Sequence, residues 1–113
     1  MTPTGQTADG TWEVGVRRTF PLGVGEAWRL LPTLVADDPC LGATRSSTEN
    51  EVMRLSYRCQ GWANDSTVQL RVIPAKHGVT IAVHHEGLPG PAQREVMRER
   101  WTAALGALER RLV

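Results

Sequence analysis

His84, His85 and Glu86 form the densest group of possible metal ligands or proton carriers in this sequence. Imidazole titrates near neutrality and serves as a general acid or base, and two histidines with a carboxylate could supply three ligands to a metal. The segment reads as a strand, however, and neighbouring strand residues point to opposite faces, so His84 and His85 cannot hold one ion without a bulge. No metal site and no cofactor are therefore expected. His85 shares its parity with Val79, Ile81 and Val83, which turns it inward. Its first reading is a structural imidazole bonded to backbone at the strand end, and its second is proton transfer in a pocket. His77 falls in a turn and is expected to be exposed.

Tyr57 and Cys59 face inward by the same alternation. A buried phenol needs a partner for its hydroxyl, which makes Tyr57 the polar pocket candidate. Cys59 has no His neighbour that would activate a thiol. With only Cys40 as a second cysteine and no ligand spacing between them, two free thiols are predicted. Arg94 lies one turn before Met97 at the start of a predicted helix, where it could receive a carboxylate at a pocket mouth. Its bland reading is an arginine whose stem packs while its head reaches water. No Ser/His/Asp arrangement, phosphate-cradling glycine loop or nucleotide fingerprint is present.

The elements that must position these groups follow from hydrophobic period. Trp12, Val14 and Val16 alternate with polar residues up to Phe20, giving a first strand. Val24, Ala27, Trp28 and Leu31 share one helical face, and Pro32 ends or kinks that helix. Asp37, Asp38 and Pro39 open a loop running to about Asn50, with a weak strand signal at residues 42–47. Three strands then form a meander: Met53, Leu55, Tyr57 and Cys59; Val68, Leu70 and Val72; Val79, Ile81 and Val83. Met97, Trp101, Ala104, Leu105, Leu108 and Leu112 make one face of a closing helix that starts near Pro91, while Gly106 lies off that stripe with no packing reason. A ferredoxin-like plait would need a helix between the middle strands, and the connections are too short for one. The prediction is an α+β domain over residues 12–113, a curved antiparallel sheet packed on a long C-terminal helix, preceded by a loose polar lead at 1–11.

Two segments carry a resemblance. VRRTFPLGVGEAWRLL is similar to the opening strand and Trp-bearing short helix of the START-like (SRPBCC, Bet v 1-like or helix-grip) superfamily. VTIAVHHEGLPGPAQREVMRERWTAALGALERRL is similar to its last strand and closing helix, most of all in the branch named for the activator of the heat-shock ATPase chaperone. Full-length members carry more strand where this chain has residues 37–51, so the resemblance implies an abbreviated sheet. It also implies a space between sheet and helix that holds an apolar or aromatic small molecule. That space would be walled by Trp28, Leu55, Tyr57, Leu70, Val83 and Trp101, with Tyr57 and His85 its inward polar groups and Arg94 near its mouth. Two further functions follow from the same resemblance. One is a cyclase or dehydratase acting on a polyketide-like substrate through Tyr57 and His85, and the other is a protein-interaction module of the chaperone-activator type.

The composition sets bounds. A chain of 113 residues with net charge +1 and interleaved arginines and glutamates is one domain and gives no electrostatic reason to expect nucleic acid or anionic membrane. No membrane span or signal peptide is predicted, so a cytoplasmic location is expected. The edge left by the abbreviated sheet is a place for a second copy to pair, since unpaired edges are aggregation-prone.

Overall fold

The computed structural model describes residues 3–112. Five strands form one open antiparallel sheet in the order β1-β5-β4-β3-β2. They are β1 Trp12–Phe20, β2 Leu41–Thr48, β3 Val52–Tyr57, β4 Ser66–Ala75 and β5 Gly78–Leu88. A short helix, α1 Val24–Leu30, and a 3-10 turn, Leu31–Leu34, follow β1, and α2 Pro91–Arg111 closes the chain. The predicted α+β helix-grip architecture is thus the observed one. Pro91 occupies the first turn of α2, where a missing N–H costs nothing.

Alternation places the core. Val68, Leu70 and Val72 of β4 and Val79, Ile81 and Val83 of β5 are buried on one face of the sheet. Met97, Trp101, Leu105 and Leu108 of α2 are buried too, and α2 lies over β1, β5 and the 3-10 turn. Burying a side chain of this size contributes roughly 1.5–3 kcal/mol, so the helix stripe is a main source of the packing that holds α2 on the sheet. Leu112 ends the predicted stripe but is 40% exposed, because the last turn of α2 runs past the sheet. Gly106 differs in the other direction. It is buried, with the guanidinium groups of Arg110 and Arg18 beside it, so the face covered by β1 is wider than the apolar stripe suggests.

The stretch read mainly as a loop contains β2, a strand at the sheet edge that pairs with β3 through two bulges. Its residues after Leu41 are exposed on both faces, so no alternation of apolar residues marks it. Asn50 turns the chain into β3 with φ 64°, a conformation asparagine tolerates.

Cys40 and Cys59 form a disulfide, which corrects the expectation of free thiols. Pairing of β2 with β3 brings residues 19 apart in sequence together, and no spacing rule reads that register. Ahead of β1, residues 3–11 double back: Gln6 bridges Trp12, and the Glu13 N–H donates to the Gly5 carbonyl at 2.7 Å. The hydroxyls of Thr7 and Thr11 both donate to Asp9, and these bonds, Thr7 first, pull its carboxyl down to about 2. Polar composition suggested a loose lead here; local hydrogen bonds to Asp9 give it a defined turn.

Candidate functional site

Tyr57 ends β3 with its ring fully buried. Its O–H donates to Asp38 Oδ2 at 2.8 Å. Arg100, on α2, donates from Nη1 to the same Oδ2 at 2.7 Å and to the Tyr57 oxygen at 3.0 Å. The Cys40 N–H donates to Asp38 Oδ1 at 3.0 Å. Burial pushes the Asp38 carboxyl up, but the bonds from Cys40, Tyr57 and Arg100 outweigh it and hold the group below the usual carboxylate range. Burial, then the hydrogen bond to Asp38, raises the Tyr57 phenol. The phenol therefore stays protonated as a donor and does not serve as a base near neutrality.

His85 sits at the centre of a second network. The Trp101 indole N–H donates to His85 Nδ1 at 3.1 Å, and His85 Nε2 lies 2.8 Å from Ser66 Oγ. The Ser66 hydroxyl in turn donates to the Tyr57 carbonyl at 2.6 Å. Only one proton arrangement satisfies all three: Nδ1 accepts, Nε2 carries the hydrogen, and every donor points the same way along the chain. Burial, then the neighbouring His84, lowers the imidazole to about 3. Neutral and bonded at both nitrogens, His85 has no free position for proton transfer. Its partners are the side chains of Ser66 and Trp101 and not the backbone carbonyl or N–H expected at the strand end.

A glycine explains how the strand end is shaped. Gly87 has φ 78°, a left-handed conformation that glycine adopts without a Cβ penalty. The register of β1 on β5 slips there, with Val14 opposite His85 and Trp12 opposite Leu88. His85 and Leu88 are consequently both buried despite their odd spacing. On the outer face Glu13, His84 and Glu86 bring ligand atoms within 4.8 Å of one another. His84 Nε2 and Glu13 Oε2 are 3.5 Å apart, both side chains partly exposed. As alternation requires, His85 has no part in this grouping.

The predicted pocket walls come together as packed core. Tyr57, Leu70 and Trp101 are 0% exposed and Val83 1%. None of these four borders the three hollows described next. Trp28 is half-buried and packs against the core from α1. Of the predicted walls, Leu55 borders a groove of about 430 Å³ between the 3-10 turn and the β2–β3 wing, lined by Pro32, Val35, Leu41, Met53, Leu55 and Asp38 among others. A second hollow of about 280 Å³ lies between α2 and the segment after β3, lined by Cys59, Trp62, Ala92, Gln93, Val96, Met97 and Arg100. The Asp38–Tyr57–Arg100 cluster stands between the two. A third, polar hollow of about 340 Å³ is bordered by Asp9, Asp65 and Glu86.

Arg94 is not at any of these mouths. Its Nε donates to the Glu13 carbonyl at 2.7 Å, its stem packs against Gly5, and its side chain is only 16% exposed. Arg100 takes the position expected of Arg94. Sequence reasoning missed Arg100, Asp38 and Ser66. Ser66 shares the inward parity of Val68 and Leu70, so its signal was present, whereas Asp38 in a loop and Arg100 beside the stripe carried none.

An open five-stranded antiparallel sheet wrapped on a C-terminal helix is shared with solved structures. CalU16 from Micromonospora echinospora superposes with TM-score 0.75 at 16% identity, over 91% of this chain and 78% of its own. The chain has the helix-grip, START-like fold. The same helix-grip frame matches an AHSA1-like protein from Rhizobium etli with TM-score 0.64 at 16% identity, over 92% of this chain and 84% of the other. It also matches the di-domain aromatase/cyclase StfQ of the steffimycin biosynthetic pathway, TM-score 0.64 at 10% identity, over 86% of this chain and 49% of StfQ. No family model and no curated protein sequence matches the chain.

Proposed function

We propose that this chain is a small START-like binding domain whose ligand, a neutral and mostly apolar molecule, occupies the groove between the 3-10 turn and β2–β3. The observation that supports this reading is the groove itself. Its floor is the buried Val35 and Leu55, its rim is the half-buried Leu41 and Met53, and its volume falls in the range of small-molecule sites. Asp38 supplies a polar end whose charge is already balanced by Arg100, so a second charge on the ligand gains nothing there. An enzyme of the cyclase or dehydratase kind would use Tyr57 and His85, and both have their protons committed to internal partners. A ligand that binds only the folded chain raises its unfolding temperature by mass action. A panel of neutral flat aromatic compounds should therefore give a thermal shift, and Leu41→Arg, which fills the rim with a charge, should remove it. No shift with any compound, or a shift that survives Leu41→Arg, overturns the groove.

A second reading, a protein-interaction module, is supported by the burial of Trp101, Tyr57 and Leu70 within one core cluster, since walls built to receive a molecule would border an opening. Pairing of two copies through β2 is the specific form expected from the open edge. The two bulges of β2 work against it, because bulges twist an edge away from partners; sedimentation at high concentration should give a monomer. No described helix is long and apolar enough to cross a membrane. A cytoplasmic setting would expose the Cys40–Cys59 pair to reductants, so thiol counting on freshly lysed cells tests that location: a fully oxidised pair argues for an oxidising compartment.

A further inference from the structure

The cleft between α2 and the segment after β3 has a composition different from the groove. Ala92, Val96, Met97 and Arg100 recur at the spacing of one helical face, and Trp62 and Cys59 form the facing wall. Val96 is 54% exposed, more than any other large hydrophobic residue among those described. The apolar wall ends at a cation that is only partly used. Arg100 carries five N–H groups in a planar fork, and Nη1 alone makes the bonds to Asp38 and Tyr57. Nε and Nη2 have no side-chain or backbone partner among the described residues, and the side chain is 41% exposed.

We propose that this cleft binds a small aromatic monocarboxylate. Its ring would lie against Trp62, Met97 and Val96, where aromatic and thioether surfaces give favourable contacts. Its carboxylate would take the unpaired edge of the Arg100 fork, the geometry in which arginine binds carboxylates best. Asp38 does not block this approach, because its carboxylate already accepts from Arg100 Nη1, the Tyr57 O–H and the Cys40 N–H. At about 280 Å³ the cleft suits a compact bicyclic acid and excludes a long lipid. The site is separate from the groove and does not depend on it.

Calorimetric titration of the full chain with 2-naphthoate and with its neutral analogue 2-naphthylmethanol tests the assignment. Naphthoate should bind at least tenfold more tightly than the alcohol. Val96→Glu places a carboxylate one turn before Arg100 that competes for the fork, and it should weaken naphthoate at least tenfold while leaving the unfolding transition cooperative. Arg100→Met should abolish the preference for the acid over the alcohol. Since Arg100→Met also strips Asp38 of a partner and could unfold the chain, the exposed Val96→Glu substitution decides if that variant fails to fold. Equal binding of acid and alcohol, no binding at all, naphthoate binding that survives Val96→Glu, or binding that is lost with Leu41→Arg in the groove would each overturn the proposal.

Discussion

His85 links acidity to stability through a single proton. Its imidazole is held neutral in the fold, down to about 3, whereas in the unfolded chain it titrates near 6.5. The unfolded state therefore binds one more proton than the folded state between those values. Stability is full above about pH 6.5 and falls on acidification through that window, at up to roughly 1.4 kcal/mol per pH unit. Denaturant unfolding at pH 7, 6 and 5 should show the slope, and His85→Gln should flatten it. Trp101→Ala should cost about 3–5 kcal/mol, at the upper end because it also leaves His85 Nδ1 without its donor; a loss under 1 kcal/mol would mean that the ring is not packed as described. The inward direction of His85 and Tyr57 was legible from strand parity alone. Their partners were not, because Asp38, Arg100 and Ser66 meet them through tertiary packing that a period-two pattern does not encode.

Periodicity located the well-covered elements and failed for the uncovered one. β1, β4, β5 and α2 each bury one face and so repeat apolar residues at a fixed spacing, whereas β2 buries neither face. Its sequence LGATRSST has strand-forming residues but no pattern to tell it from a loop. Within α2, Gly106 offers a test of how tightly the helix seats on β1. A Cβ there would meet only the side-chain ends of Arg110 at 3.5 Å and Arg18 at 3.7 Å, ordinary contacts that can adjust. Gly106→Ala should therefore stabilise the protein by about 0.5–1 kcal/mol through helix propensity alone. A destabilised variant in urea titration would show that α2 and β1 approach more closely than the contacts indicate.

At the scale of the whole molecule the resemblance in sequence and the likeness of solved structures agree on the fold, while the hollows described lie at the β2–β3 wing and along α2 and not against the buried Trp101. The Cys40–Cys59 bond ties that wing together. By loop-closure entropy its removal in the double Cys→Ser variant should cost about 3 kcal/mol, read as a lower denaturation midpoint with a steeper slope, because the unfolded chain without the cross-link exposes more surface. The same bond has a consequence for proteolysis. It closes a ring that contains all of β2 and β3, and the turn at the far end of that ring, Glu49 to Glu51, is exposed. A glutamate-specific protease that cuts once there would open the backbone without separating the halves. The nicked protein should migrate as one species on a non-reducing gel and as two fragments after reduction.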